Sequence, residues 1–425
     1  MPFEECEAEI NLSAEHSSSR RIYQTASIQK EEKTPLLRQL RQRIIANGPL
    51  SVHDYMANVL TNPQTGYYMH RDVFGVGGDF TTSPEISQMF GEMIGVWMLN
   101  EWLKAGSPQQ VQMIEVGPGR GTLVKDILRV LTKYGELANA LTVHLVEVSP
   151  HLAKIQEERL CGTSTEEITG ELYYKEAKTR LGPHIRWYKD IHVVPQESYS
   201  FFLAHEFLDA LPVHKFVRTY RGWREVLVDL DESVKSPLHL RFVMAPNRTP
   251  STILIDSGEK RNHVEICPQA GMFVQHVAKR LENHGGASLI VDYGHVGEKS
   301  DTLRAFRQHQ LHEPLSLPGW ADLTADVDFS YLRRCVENQV LIFGPVTQRN
   351  FLTSMGMGVR LKKLLEVVRS REEGEQLVTA YDMLINPRHM GERFKFMAML
   401  PKNMAIRVNK NPPAGFEAEL SMLNR

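Results

Sequence analysis

The 425-residue chain has only four cysteines, Cys6, Cys161, Cys267 and Cys335, and no C-x-x-C pair. Such dispersed thiols exclude a disulfide-based fold and a cysteine zinc site, and they are typical of a reducing compartment. No apolar run approaches the about 18 residues that a membrane-spanning helix needs. An excess of one charge is also missing, because 49 Lys and Arg face 51 Asp and Glu. The overall electrostatic potential of the chain therefore does not favour a nucleic-acid partner.

Several catalytic signatures are absent as well. The chain contains neither G-x-S-x-G nor G-x-x-x-x-G-K-[ST], so a serine hydrolase and a P-loop enzyme lack support. His205-Glu206-Phe207-Leu208-Asp209 begins like a zinc-protease helix, but aspartate stands where the second histidine ligand is required. No metal site is predicted. The 42% hydrophobic content excludes a disordered chain, and the length predicts two or three folding units.

The most informative feature present is a glycine-rich turn after an apolar segment. Val111–Val116 is followed by Gly117, Gly119 and Gly121, and Leu123–Leu131 then has helical spacing. Glycines let the backbone approach a ligand, and the helix start offers unpaired N–H groups. A dinucleotide fingerprint is G-x-G-x-x-G, so the third glycine comes one residue early here. With Glu115 just before the turn, the pattern favours S-adenosylmethionine (SAM), which carries an α-ammonium.

Further acids follow the next predicted strands. Glu147 ends the segment Leu141–Glu147 and lies 26 residues after Gly121. An acid at an offset of roughly 20 residues binds the ribose in nucleotide-binding units, so Glu147 is predicted to accept from the ribose hydroxyls. Asp190 ends the predicted strand His184–Asp190 and is a candidate acceptor for the adenine amino group. The alternatives are a solvated acid at a strand end and, for Asp190, a helix cap.

Strand-like and helix-like segments alternate from residue 111 onward. Predicted strands continue at Tyr199–Glu206 and Ala287–Tyr293, and a last strand is expected at Arg393–Leu400. Short apolar strands separated by helices predict an α/β fold with a doubly wound, Rossmann-like sheet. Residues 213–245, rich in Val, Phe and Tyr, predict a β-rich insertion, to which the segment 252–267 is expected to add another strand.

The predicted organisation has five parts. Residues 1–34 are a disordered or targeting segment: Ser17–Ser27 resembles the end of a mitochondrial transit peptide, whereas the five glutamates of residues 1–16 do not. The other parts are an N-terminal helical cap (35–105), the core with its insertion (106–300), a part that completes the sheet and the substrate side (301–402) and a tail (403–425). Within them, a helix is expected over 85–104, and residues 295–328 are expected to be loop-like and partly helical.

Two more groups of residues are candidates for the site. Glu206 ends a predicted strand and Asp209 follows it, and ligands of open α/β sheets bind at the carboxyl ends of strands. Glu206 is expected to face the substrate, with Asp209 assisting. Thr81, Thr82 and Ser83 precede a helix, with Ser83 as its predicted N-cap, and such residues can contact a carboxylate such as that of methionine. The alternatives are a helix cap after the strand and a capped turn over the core.

Together these motifs resemble those of the MidA-like SAM-dependent methyltransferases, over about residues 35 to 402. The stretches that carry the resemblance are GVGGDFTTSPEIS (75–87), IEVGPGRGT (114–122), HLVEVS (144–149), AHEFLDALPVHK (204–215), VDYGH (291–295), LTADVDFSYL (323–332) and MGERFKF (390–396). The resemblance implies a class I SAM methyltransferase core with an N-terminal helical segment, SAM as cofactor and a protein substrate.

For the animal branch of the family, the resemblance implies a mitochondrial matrix enzyme. Such an enzyme symmetrically dimethylates arginine on a core subunit of respiratory complex I and is required for assembly of that complex. Glu206 would then align the guanidinium nucleophile. Two other classes stay open: a non-catalytic assembly chaperone that binds SAM, and a nicotinamide-dependent oxidoreductase, against which Glu115 and the early third glycine argue. The target arginine and the oligomeric state cannot be read from the sequence.

Overall fold

The computed structural model describes residues 34–73, 75, 78, 81–162, 168–169, 171–196, 198–233 and 239–417. The disordered or targeting segment predicted over 1–34 lies outside these residues, apart from Thr34. Thr34 caps the first helix, because its hydroxyl oxygen accepts from the Leu37 N–H at 3.1 Å. Within the described part of the chain, no helix has the length and apolar character to cross a bilayer.

The elements are numbered in chain order. The strands are β1 (Leu50–Ser51), β2 (Val111–Val116), β3 (Leu141–Val146), β4 (Lys175–Lys178), β5 (His184–Tyr188), β6 (Tyr199–His205), β7 (His214–Thr219), β8 (Gly222–Leu230), β9 (Leu240–Met244), β10 (His263–Ile266), β11 (Gly286–His295), β12 (Arg304–Arg307), β13 (Gln310–His312), β14 (Asp322–Thr324), β15 (Val327–Asp328), β16 (Val340–Thr347) and β17 (Phe394–Pro401). The helices are α1 (Pro35–Asn47), α2 (Val52–Thr61), α3 (Ser83–Ile86), α4 (Gln88–Lys104), α5 (Thr122–Leu131), α6 (Gly135–Ala140), α7 (Pro150–Leu160), α8 (Pro268–His284), α9 (Phe329–Val336), α10 (Gln348–Ser354), α11 (Met357–Leu365), α12 (Arg371–Ile385) and α13 (Ala405–Lys410).

A large mixed sheet forms the centre of the protein. Its parallel strands lie in the order β5-β3-β2-β6-β11, with antiparallel β4 at one edge. At the other edge β17 is antiparallel to β11, and β16 is antiparallel to β17, so β16 again runs in the direction of the parallel strands. Side chains alternate between two buried faces. Leu203 packs with α4 and α5 on one face, and Phe202 packs with α8 and α9 on the other. Because helices cover both faces, the predicted doubly wound fold is confirmed.

The helix expected over 85–104 is two helices, α3 and α4. Ser87 between them is extended, with φ −155°, and its hydroxyl caps α4 by accepting from the Met89 N–H at 3.2 Å. The predicted N-cap at Ser83 was wrong by one residue, since Thr82 is the N-cap of α3 and Ser83 is already helical. Serine favours such caps because its side chain competes for backbone N–H groups.

The β-rich insertion is an antiparallel sheet in the order β1-β8-β7-β10, with β9 beside β8. It shares a hydrophobic core with α1 and α2, in which Tyr55 and Val228 are fully buried. Residues 295–328 differ from the expectation, because they contain strands β12–β15 and no helix. Each of these strands has only two to four residues, which is too short for a periodic pattern to identify it in the sequence.

The chain after β15 completes the sheet. Helix α9 precedes β16, and helices α10–α12 lie between β16 and β17. Phe351 of α10 stacks on Phe396 of β17 with centroids 4.1 Å apart, which fixes these helices on the sheet. The predicted tail over 403–425 contains α13, and Phe416 within it is fully buried.

Close packing of α4 on α5 depends on Gly91. A Cβ there would lie 2.6 Å from the Cβ of Asp126. We expect Gly91→Ala to lower the free energy of unfolding by about 1–3 kcal/mol, because the two helices must separate. Gly135→Ala in α6 is the control, since nothing lies within 4 Å of its Cβ. Urea unfolding of both variants measures the difference, and equal stabilities would contradict the packing argument.

Candidate cofactor and substrate site

The candidate site lies at the carboxyl ends of β2 and β6. The strand order changes direction at this point, because β3 lies beside β2 on one side and β6 lies beside it on the other. In open α/β sheets such a reversal opens a ligand crevice. Val116 pairs with Ala204, and the Glu206 N–H donates to the Val291 carbonyl at 2.9 Å. The turns after β2 and β6 therefore meet at one edge of the sheet.

The glycine turn after β2 has the conformation that its sequence requires. Gly117, Gly119 and Gly121 have φ of 61°, 53° and 75°, a region that favours glycine. A Cβ on Gly117 would lie 2.5 Å from Cδ2 of Phe207, the residue after Glu206. The glycine turn therefore rests directly on the turn that follows β6.

Glu115 is a buried carboxylate with unsatisfied hydrogen-bonding capacity. Its side chain is almost fully buried, and Oε2 has no hydrogen-bond partner among the described residues. Burial raises the pKa of Glu115 to about 8. An unpaired buried carboxylate is costly unless a cation approaches it. Its position before the glycine turn fits the α-ammonium of SAM.

Glu147 is buried one strand further along the same edge. Its Oε1 accepts from the Ser149 N–H at 2.8 Å, and its Oε2 accepts from Gln156 Nε2 at 3.0 Å. Gln156 Nε2 also donates to the Gly119 carbonyl at 2.7 Å, so it ties Glu147 to the glycine turn. Burial raises the pKa of Glu147 to about 7. Each carboxylate oxygen keeps a lone pair that can accept from a ribose hydroxyl.

Asp190 is a helix cap, which is one of the alternatives that the sequence left open for it. It caps the short 3-10 helix Ile191–Val193, accepting from the His192 N–H at 2.9 Å and lying 2.7 Å from His192 Nδ1. Its side chain is more than half exposed. A contact with adenine stays a prediction.

The segment Thr81–Ser83 lies against Glu206 and the substrate side. The Ser83 N–H donates to Glu206 Oε1 at 3.1 Å, and Thr81 lines the neighbouring cleft. Thr82 caps α3, without a side-chain cap hydrogen bond. Contact of these residues with the cofactor carboxylate stays a prediction.

Glu85 of α3, which sequence reasoning missed, contacts the glycine turn. Its carboxylate pairs with Arg120 Nη1 and Arg159 Nη1, each at 3.3 Å, and accepts from the Thr122 hydroxyl. Helix α3 therefore contacts the turns after both strands. The sequence did contain a signal for Glu85, because this residue belongs to GVGGDFTTSPEIS (75–87), one of the stretches that carry the family resemblance.

The turn after β6 is held by Asp292. Its Oδ2 accepts from the N–H groups of Phe207, Leu208 and Asp209 at 3.2, 3.0 and 3.3 Å. Glu206 itself has φ 47°, which is uncommon for a non-glycine residue and marks local strain. Asp292 is therefore a structural anchor for Glu206.

Glu206 lines an open cleft of about 990 Å³ between the sheet edge and α12. Tyr293, Phe394, Ile86 and Met383 supply its apolar lining. Burial, with the nearby Asp209, raises the pKa of Glu206 to about 8. A shielded acid with a raised pKa in an open cleft is a candidate functional group.

Asp209 lies behind the cleft instead of lining it. It accepts from the Tyr293 hydroxyl and from Thr324 Oγ1, the latter at 2.8 Å. The structure therefore brings Asp209 close to Glu206, but places Tyr293 between Asp209 and the cleft. Tyr293 was missed by sequence reasoning, although it belongs to the VDYGH stretch. Among the described residues, no cluster of His, Cys, Asp and Glu is arranged to hold a metal ion.

Comparison with known proteins identifies the family of this chain and its cofactor. Residues 93–346 match the family of S-adenosyl-L-methionine-dependent methyltransferases. The chain belongs to this family. SAM is its cofactor, so the nicotinamide alternative is excluded. The unsatisfied Glu115, the glycine turn and Glu147 fit that cofactor.

Several relatives carry the name "Protein arginine methyltransferase NDUFAF7, mitochondrial". The rat protein is 52% identical, with 87% of this chain and 85% of the rat protein covered. The human protein is 51% identical, with 87% and 84% covered. A solved protein from Burkholderia thailandensis, bound to S-adenosyl-homocysteine, is 25% identical with a TM-score of 0.70, covering 86% of this chain and 91% of that one. The last match confirms the predicted class I core.

SAM binding is expected to depend on the protonation of Glu115. Burial favours the neutral acid below a pKa of about 8, whereas an α-ammonium stabilises the carboxylate. Binding therefore releases protons, and affinity should rise by up to tenfold per unit between about pH 6 and 7.5. Calorimetry in two buffers of different ionisation enthalpy measures the protons released. Glu115→Gln should bind more weakly and with a smaller slope, and a pH-independent wild-type affinity would rule out this role.

Glu147→Gln tests the ribose contact. The substitution keeps the shape of the side chain and removes its charge, so SAM affinity should fall by about 1.5–3 kcal/mol. Glu136→Gln, an exposed glutamate at the start of α6, is the matched control and should leave affinity unchanged. Calorimetric titration gives both values. If the two variants bind SAM equally well, Glu147 is only a structural residue.

Proposed function

We propose that this chain transfers a methyl group from SAM to an arginine side chain of a protein substrate in mitochondria. The observation that carries the proposal is Glu206, a partly buried acid that lines a cleft at the same sheet edge as the glycine turn. The names of the relatives agree with this substrate. The family resemblance supports the finer proposal of symmetric dimethylation on a core subunit of complex I, in the matrix.

Glu206 is suited to orient a guanidinium. Its Oε1 accepts from the Ser83 N–H at 3.1 Å and lies 3.3 Å from His205 Nε2, which fixes the carboxylate at the wall of the cleft. An entering guanidinium stabilises the anion of Glu206 and donates to it, and these charge-assisted bonds localise positive charge away from the reacting nitrogen. SAM supplies a methyl group on a positively charged sulfur. The contribution of the protein is positioning and exclusion of water.

The aromatic lining of the cleft favours the same substrate. Tyr293 and Phe394 lie edge to face, with ring centroids 5.5 Å apart at 81°. A planar guanidinium stacks on aromatic rings better than an ammonium does. Asp209 contributes by fixing the Tyr293 hydroxyl. Asp209 is therefore a positioning residue in this proposal, and Glu206 is the catalytic residue.

Glu206→Gln tests the proposal. The amide keeps the shape and loses the charge that orients the guanidinium, so methyl transfer should fall by at least about 10²-fold, roughly 2.7 kcal/mol of transition-state stabilisation. SAM affinity should stay near the wild-type value. The measurement is incorporation of radiolabelled methyl into the complex I core subunit, with amino-acid analysis of the product.

Glu372→Gln, on α12 at the wall of the same cleft, is the matched control and should leave kcat unchanged. Full activity of Glu206→Gln would remove Glu206 from the mechanism. Loss of SAM binding together with activity would make it a cofactor ligand or fold element. Absence of incorporation by the wild type would favour the non-catalytic chaperone.

A further inference from the structure

The tip of the β7–β8 hairpin and the loops beside it carry a group of cations that have no carboxylate partner among the described residues. We define the hairpin patch as Arg218, Tyr220, Arg221, Arg224, Arg248, Ile253 and Lys260. None of its arginines or its lysine forms an ion pair with a carboxylate of the described residues. The whole chain has a net charge of −2, so this positive excess is local.

Backbone contacts bring the members of the patch to one end of the antiparallel sheet. The Arg218 N–H donates to the Asn262 carbonyl at 2.7 Å, and its guanidinium donates to the Glu259 carbonyl, next to Lys260. The Ala245 N–H donates to the Glu225 carbonyl at 2.8 Å. The chain after β9 therefore continues towards the start of β8 and leads into Arg248.

The guanidinium groups are held without being neutralised. Arg218 lies 4.7 Å from the ring centroid of Trp223, and Arg221 lies 5.1 Å from that of Tyr220. Arg224 donates to the carbonyls of Arg221 and Trp223 at 3.2 and 2.9 Å. Rings and carbonyls orient a guanidinium but leave its positive charge available to an external anion.

Two large side chains of the patch are strongly exposed. Tyr220 is 86% exposed and Ile253 is 85% exposed. Ile253 precedes Leu254, which packs with Trp223 in a small cluster on β7 and β10. Aromatic and aliphatic side chains among unpaired cations are the composition of protein surfaces that bind membrane interfaces.

We propose that the hairpin patch binds the surface of a membrane that contains anionic lipids. The cations match the negative headgroups, and Tyr220 and Ile253 enter the interface beside them. A single-stranded RNA is a poorer match. A guanidinium covers one face of Tyr220 and of Trp223, and Trp223 is also packed in its cluster, whereas base stacking needs free aromatic faces. This inference does not depend on the identity of the methylated residue.

Vesicle flotation of the full chain tests the proposal. The protein should float with phosphatidylcholine vesicles that contain about 30% phosphatidylglycerol, and stay unbound with phosphatidylcholine alone. Raising the salt to about 1 M should release it, because screening then acts within about 3 Å. An equal affinity for both vesicles, or no binding to either, would overturn the proposal. Tighter binding to a single-stranded RNA of mixed sequence than to anionic vesicles would also overturn it.

Two variants locate the contact. Arg221→Glu with Arg224→Glu should lower the vesicle partition coefficient at least about tenfold, since each cation near an anionic surface contributes about a factor of five. Lys363→Glu with Arg371→Glu makes the same charge change on exposed residues of α11 and α12, and should bind like the wild type. Both proteins must keep wild-type SAM affinity. If the first does not fold, Arg221→Gln with Arg248→Gln replaces it, and unchanged binding of a folded variant would exclude the hairpin patch.

Discussion

The arrangement of the site depends on one carboxylate, Asp292, which accepts three consecutive backbone N–H groups after β6. These hydrogen bonds close a tight turn at the end of β6, where the neighbouring strands no longer provide hydrogen-bond partners for the backbone N–H groups. The turn points Glu206 into the cleft and sets Phe207 beneath Gly117. The same anchor therefore positions the substrate side and supports the cofactor side.

Helix α3 has only four residues, but it contacts both the turn after β2 and the turn after β6. Ser83 holds Glu206, and Glu85 pairs with Arg120 and Arg159 beside the glycine turn. These groups are only partly exposed, so their hydrogen bonds compete little with water. A displacement of either turn would break contacts to α3 or force Phe207 against Gly117. The cofactor and substrate sides are consequently expected to move as one unit.

The sequence predicted the parts of this site that depend on neighbouring residues. A strand, a glycine turn and a helix follow one another within a dozen positions, and the acids at strand ends are read from the same local pattern. Contacts between distant positions could not be predicted. Tyr293 and Asp209 lie 84 positions apart, and nothing near Asp209 indicates that a tyrosine separates it from the cleft. The cap at Thr82 and the strands β12–β14 were missed because boundaries and short elements carry little periodic signal.

The electrostatics of the site favour cationic ligands, as the proposed reaction requires. Glu115 is buried and Glu206 is largely shielded from water, and the pKa of each is raised to about 8 because desolvation penalises the charged form. Arg304, which lines the same cleft, is already paired with Asp326 at 2.6 Å and does not neutralise Glu206. In the proposed reaction, SAM would bring an ammonium to the glycine turn, and an arginine substrate would bring a guanidinium to the cleft. Each cation would favour the ionised form of one acid and would offset the desolvation cost that keeps that acid protonated in the free protein. A neutral substrate would leave Glu206 protonated and unable to orient the nucleophile, which is why a cationic acceptor fits this edge of the sheet.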